Sequence, residues 1–156
     1  MALGLTPEHL ELAAAVSGWA QRHCPADIVR AAVDADDGGA QHYRATLAPS
    51  LAGQGLFGLH LPEDSGGQGF GLPELAVALE ETGRALLPGA YLATVLASAV
   101  LAEALGTSDN AIGSPPGKLL AKLTDGSLSG TVALGADLTA QPAPDDGLTV
   151  SGESGP

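Results

Sequence analysis

Apolar positions recur at helical spacing from residue 6 to residue 123, and at strand spacing after that. Thr6 stands directly before Pro7, the N-cap and first-turn residues of a helix start. Leu12, Ala15, Val16 and Trp19 then fall at i, i+3, i+4 and i+7, which makes one apolar stripe. The pattern breaks at Cys24-Pro25. A second helix is predicted over 25–36, ending in the Asp-Asp-Gly-Gly turn that closes at Gly39. A third is predicted over 40–52, with Gly53 as its C-cap.

Residues 55–62 read as a short extended apolar stretch, and it feeds a glycine-rich loop over 63–71. A fourth helix starts near Pro73, carries Leu72, Leu75, Ala76 and Leu79 on one face, and is bounded by Gly83 and Pro88. A fifth runs from Gly89 to Leu105 with Leu92, Val95, Leu96 and Ala99 as its stripe, and Gly106 ends it. Ser114-Pro115 caps a short sixth helix through Leu123. Beyond Asp125-Gly126 the period becomes two, and 128–134 and 148–151 read as strands. Helices followed by strands describe a mainly α chain: a helical bundle over 1–126 and the beginning of a β-domain over 127–156. Two isolated strands are marginal and leave unpaired edges. The pattern therefore predicts a longer protein, of which this is the first part.

Composition supports helices and narrows the partners. Apolar residues make up 45% of the 156, but aromatics only 3%, so Ala, Leu and Val must fill the interior. Ala and Leu are among the strongest helix formers. Net charge is −12, and the six Lys and Arg are scattered. Without a basic patch, neither nucleic acid nor an anionic membrane surface is an expected partner. Cys24 is the only cysteine, so no intrachain disulfide is possible. The opening residues lack the basic and apolar regions of a signal peptide. The most apolar stretch, 86–105, is interrupted by Pro88, Gly89 and Glu103, and reads as a buried helix and not a spanning one. A cytoplasmic location is expected.

Taken singly, the polar residues give no reaction centre. The glycine loop sits between an extended stretch and a helix, as a phosphate-binding turn does. The dinucleotide fingerprint, counted from Gly67 and Gly69, would need a third glycine where Leu72 stands. A tight turn built from positive-φ glycines explains the loop more simply. Glu80 and Glu81 point about 100° apart on a helix, so they cannot readily share a proton. Arg84 lies within pairing distance of Glu81. His9, His23, His42 and His60 show no metal-ligand spacing, and no Gly-x-Ser-x-Gly elbow occurs.

The block from Gly55 to Leu87 changes this picture. Gly-Leu-Phe-Gly-Leu-His-Leu-Pro-Glu-Asp-Ser-Gly-Gly-Gln-Gly, followed by a helix bearing Leu79-Glu80-Glu81-Thr82-Gly83-Arg84-Ala85, resembles the acyl-CoA dehydrogenase family. That family carries a Pro-Glu-x-x-Gly-Gly-x-Gly loop and then a Glu-Glu-x-Gly-Arg helix end. The flanks, Gly106-Thr107 and 118–126, are similar to the family's link into its middle domain. The resemblance implies an N-terminal helical domain, a middle β-domain and a C-terminal helical domain, with FAD and an acyl-CoA substrate between them. It implies α,β-desaturation of the thioester by an FAD-dependent dehydrogenase. The catalytic base is expected beyond Pro156, an electron-accepting flavoprotein is the expected redox partner, and a homo- or hetero-oligomer, dimer or tetramer, is the expected assembly. Ala133, Leu134 and Gly135 fall where the family approaches the flavin. Leu92, Val95 and Leu96 fall where a wall for the acyl chain is expected. Alanine-rich walls would suit a bulky acyl group such as a sterol side chain. Typical members have Thr-Glu-Pro and Gly-Ser-Asp segments near the flavin, and this sequence has Leu134-Gly135 and no Gly-Ser-Asp. That departure leaves open a second reading, a non-catalytic structural subunit of a hetero-oligomer. An unrelated acidic interaction module is the third.

Overall fold

The computed structural model describes residues 5–106, 113–133, 137–142 and 148–153. Among them are helices α1 (Pro7–His23), α2 (Ala26–Asp34), α3 (Ala40–His42), α4 (Ala48–Gly53), α5 (Leu72–Arg84), α6 (Tyr91–Leu105) and α7 (Pro115–Thr124). One antiparallel hairpin follows, β1 (Asp137–Pro142) with β2 (Leu148–Glu153). The mainly α architecture matches the expectation.

Helix α1 begins at the expected cap. The Thr6 hydroxyl accepts the His9 N–H at 3.4 Å, and His9 Nδ1 accepts the Thr6 N–H at 3.1 Å. Two orphan donors of the helix start are thus satisfied reciprocally, with histidine in the position that glutamate usually takes. The helix expected over 40–52 is one run in three parts. Between α3 and α4 lies a π-turn, Tyr43–Leu47, whose bonding carries the Ala48 N–H to the Tyr43 carbonyl. Pro49 accounts for it. Proline has no N–H to offer Ala45, and its ring would crowd that carbonyl in an α-helix, so the wider turn falls just before it.

The stretch 55–62 is not extended. Leu56–Gly58 forms a 3₁₀ turn, entered through Gly55 in left-handed backbone (φ 70°), and Leu56, Phe57, Leu59 and Leu61 are buried. Continuous apolar residues mark burial, and here a compact turn buries them better than a strand with no partner.

Trp19, Tyr43, Leu47, Leu51, Phe57, Tyr91 and Val95 form the centre of one core, each no more than 2% exposed. Phe57 and Tyr91 meet edge to face with ring centres 5.5 Å apart, and the Tyr91 hydroxyl donates to the Leu56 carbonyl at 3.1 Å. The Trp19 indole N–H donates to Ser50 Oγ at 2.8 Å, while His23 stacks on Trp19 and meets the same Ser50 hydroxyl at 3.2 Å. Four of the five aromatics, all but exposed Phe70, therefore lie in this core.

Two expected stripes are turned relative to their helices. On α5 the buried residues are Leu75, Val77, Ala78 and Thr82, whereas Leu72 and Ala76 are exposed. On α6 they are Tyr91, Thr94, Val95, Ala97 and Ser98. Both helices are apolar enough all round that several faces satisfy the same spacing.

The first strand is also displaced. Residues 128–133 have no regular structure, Leu134 lies outside the described residues, and β1 starts at Asp137. The reason is tertiary. The Gly130 N–H donates to Thr94 Oγ1 at 3.2 Å, and a Cβ on Gly130 would come within 2.9 Å of both Ala97 and Leu123. The backbone here is held to α6 and α7 instead of to a neighbouring strand. The second strand appears as expected and extends to Glu153. Across the hairpin Leu138 pairs with Gly152 and Ala140 with Val150, while Asp137, Thr139 and Gln141 face Glu153, Ser151 and Thr149. Alternation gives one apolar and one polar face, yet Leu138 and Val150 remain 53% and 58% exposed.

Candidate functional site

The glycine loop is a strap. The N–H groups of Gly67, Gln68, Gly69 and Phe70 donate to the carbonyls of Pro62, Gly58, Leu61 and Leu59 at 3.0, 2.9, 2.9 and 3.1 Å. A Cβ on Gly67 would lie 2.1 Å from the Leu61 oxygen, so only glycine permits this crossing. The amides that would cradle a phosphate are thus committed to the protein's own carbonyls. The strap delivers the chain to α5, where Glu74 accepts the Gly71 N–H and meets His9 Nε2, both at 2.9 Å. The Gly71 amide is the main reason the Glu74 carboxyl is held below its ordinary pKa. His9 Nδ1 accepts the Thr6 N–H, which leaves its proton on Nε2, directed at Glu74. One imidazole thereby joins the starts of α1 and α5.

At its other end α5 stops in a turn that leads into α6, which packs chiefly against α7. Leu87 donates its N–H to Thr82 and Leu86 to Gly83, the Schellman pattern. The residue in the left-handed position is Leu86 (φ 52°), where glycine is usual, and its side chain is 68% exposed. Arg84 pairs with Glu80 at 2.5 Å and Glu81 at 2.7 Å. The two carboxylates, Glu80 exposed and Glu81 largely covered, therefore share one guanidinium in an ion-pair cluster and are not an acid–base couple. Under the turn lies a crevice of about 280 Å³ lined by Leu79, Thr82, Gly83, Leu87, Gly89, Tyr91 and Leu92.

The crevice opens beside the outer face of α6. Leu92, Leu96 and Val100, four residues apart, are 54%, 47% and 55% exposed. Glu103 is the only charged residue in this helix. A helix apolar on all sides is normally buried on all sides; this one is covered on one side only. Of the residues expected to line an acyl wall, Leu92 and Leu96 stand on this open face. Val95 is 0% exposed and packs in the core, so it belongs to the scaffold.

Of the residues expected near a flavin, Ala133 is exposed, while Leu134 and Gly135 lie outside the described residues. No group of three His, Cys, Asp or Glu suited to a metal occurs among the described residues, and none of the described helices is long and apolar enough to cross a membrane. Cys24 is buried, which pushes its thiol pKa up and makes it inert. Burial also raises the Tyr43 pKa to about 12 and lowers that of His60, both of whose ring nitrogens are inaccessible and have no hydrogen-bond partner among the described residues. The His9–Glu74 tie escaped sequence reading, although the spacing Thr6-x-x-His9 and Gly71-x-x-Glu74 carries it. The α5–α6 crevice had no sequence signal.

Comparison with known proteins agrees with this arrangement. Residues 6–113, more than half of the chain, match the family model described as "Acyl-CoA dehydrogenase, N-terminal domain". Acyl-CoA dehydrogenase IpdE2 of Mycobacterium tuberculosis is 33% identical over 136 residues, 85% of this chain and 39% of that protein. Acyl-CoA dehydrogenase FadE34 of the same organism is 34% identical over 108 residues, covering 66% of this chain and 15% of FadE34. A solved structure described as "Tcur3481-Tcur3483 steroid ACAD G363A variant" superposes with a TM-score of 0.72 at 32% identity, over 93% of this chain and 39% of its own. The chain thus spans well under half the length of these relatives. With the loop, the helix end and the bundle all in agreement, the chain belongs to the acyl-CoA dehydrogenase family, over its N-terminal helical domain.

Proposed function

We propose that these residues form one wall of an acyl-CoA dehydrogenase cleft, in which an acyl-CoA thioester is desaturated between Cα and Cβ with FAD as oxidant. The observation that carries this reading is the outer face of α6. Leu92, Leu96 and Val100 form an uncharged stripe about two turns long beside an apolar crevice. A hydrocarbon laid along it buries apolar surface on both partners, at about 25 cal/mol per Å², and excludes water from the reacting end. The buried face of the same helix, locked by Tyr91 and Thr94, keeps the wall rigid, which fixes the position of the acyl group. The structural neighbour is described as a steroid enzyme, so a bulky acyl group is the substrate favoured here.

The residues that the resemblance brings toward the flavin do not fit it as side-chain partners. Ala133 ends in a methyl, Leu134 and Gly135 offer no side-chain donor, and no Lys or Arg occurs between Lys122 and Pro156. We assign the flavin contacts, the base and the contact with an electron-accepting flavoprotein to other parts of a cytoplasmic oligomer. The same departure supports a second reading, a structural subunit whose assembly holds its flavin elsewhere. Flavin absorbance of the full-length protein, purified alone and with a co-expressed partner, separates the two. A yellow protein bleached by acyl-CoA without a partner excludes the second reading. A colourless protein that becomes yellow and active only in a complex supports it, and colourless preparations in both cases reject the dehydrogenase assignment.

A further inference from the structure

His60 is a group that the proposed cleft does not use and the fold does not satisfy. Its two ring nitrogens are shut off from solvent and have no hydrogen-bond partner among the described residues. A neutral imidazole so placed leaves one donor and one acceptor unpaired, an arrangement that folded proteins seldom keep. Protonation would turn both nitrogens into donors and add a charge, which costs far more to bury without a partner. Burial is the one influence resolved on the ring, and no charged group offsets it.

The backbone on either side of His60 is held by the strap. The Leu59 carbonyl accepts the Phe70 N–H at 3.1 Å, and the Leu61 carbonyl accepts the Gly69 N–H at 2.9 Å. One bond further out, the Gly58 carbonyl accepts the Gln68 N–H at 2.9 Å. Leu59 and Leu61 are themselves buried, so this segment cannot swing outward without uncovering them. Gly67 crosses Leu61 so closely that the backbone has no room to shift while the strap stays in place. The other titratable groups along the strap stand at its ends. The Glu63 side chain lies against Gly69, Asp64 is exposed beside it, and Glu74 with His9 holds Gly71.

We propose that His60 is an acid-sensitive latch, whose protonation releases the strap over 67–70 from residues 58–61 while the helical core stays folded. The strap leads into α5, so its release also frees the start of that helix. The sign follows from burial. The open segment accepts a proton at the ordinary value of 6.5 and the closed one only below it, so opening grows as pH falls through 6.5 and is unaffected above.

Amide hydrogen exchange of the full-length protein at pH 7.5 and 5.5, corrected for the intrinsic pH dependence of exchange, tests this. In wild type the amides of Gln68, Gly69 and Phe70 should exchange faster than those of Leu51 and Val95, which open only with the core. Opening of the strap should rise by about 3- to 10-fold between the two pH values, as expected for one proton taken up per opening. His60→Phe should abolish that rise, and His60→Leu serves if the phenylalanine variant fails to fold. Strap opening that does not change with pH means that the ring reaches water by side-chain rotation alone, and overturns the proposal. Strap amides that exchange no faster than Leu51 and Val95 also overturn it, because His60 is then uncovered only when the whole body unfolds. A rise that persists in the His60 variants assigns the effect to His9 or the carboxylates and overturns it too.

Discussion

The helical body and the terminal hairpin apply the same rule to opposite effect. In the body, apolar periodicity is matched by burial: Leu47, Leu51 and Val95 are fully covered, and side-chain ties such as His9–Glu74 and Trp19–Ser50 fix the helices. In the hairpin, alternation is cleaner than in any helix, yet Leu138 and Val150 stand more than half exposed. Pattern therefore records which face a residue is made to cover, and burial records whether the cover is present. The outer face of α6 behaves like the hairpin, as do single apolar residues elsewhere on the body such as Val33 and Leu72.

The comparison is broken most sharply from the body. Leu51→Ala empties a fully buried site and is expected to cost about 2–5 kcal/mol in denaturant unfolding. Gly67→Ala forces a methyl onto the Leu61 carbonyl and should cost about 3 kcal/mol by overpacking, seen in the same experiment as a lower midpoint. If either is silent, the body is not held as described.

Leu86→Gly tests the turn at the edge of the open face. A leucine in left-handed backbone costs about 1–2 kcal/mol, and its exposed side chain returns little within this chain. The substitution should raise Tm; a fall would mean that the leucine packs against something essential.

His60 sharpens the contrast through pH. Burial lowers its pKa from an ordinary 6.5, so the folded state resists the proton that the unfolded chain accepts. Between those two values the unfolded state binds more protons, and stability falls as pH drops through the window. Above pH 6.5 the full stability is present. Unfolding midpoints at pH 7.5 and 5.5 should differ less in His60→Phe than in wild type, and an unchanged slope would remove His60 from the account. Smallest of all, Val150→Thr on the hairpin should change the stability of the helical body by less than about 0.5 kcal/mol.

What the sequence made legible follows from where the decisive contacts lie. The α1 start and the cap of α7 were readable because Thr6 and Ser114 act on backbone three residues away. The orientation of α6 was not, because a helix with Glu103 as its only charge offers no polar face against which to set a stripe. The strand expected over 128–134 was displaced by a bond from Gly130 to Thr94, thirty-six residues distant and invisible to local spacing. The strap was recognisable as a family motif, but its physical reason, Gly67 crossing Leu61, appears only in three dimensions. Resemblance gave Leu92, Val95 and Leu96 together as an acyl wall, and spacing alone could not show that Val95 packs in the core while Leu92 and Leu96 are exposed.

The central claim is that acyl groups lie along the outer face of α6. An acyl-CoA carrying a photoreactive diazirine on its acyl chain, bound to the full-length flavin-loaded assembly and irradiated, tests it directly by peptide mapping. The account predicts labelling in α6 around Leu92 and Leu96, competed by unmodified acyl-CoA. Labelling confined to other parts of the assembly, under conditions where the probe occupies the active site, would contradict it.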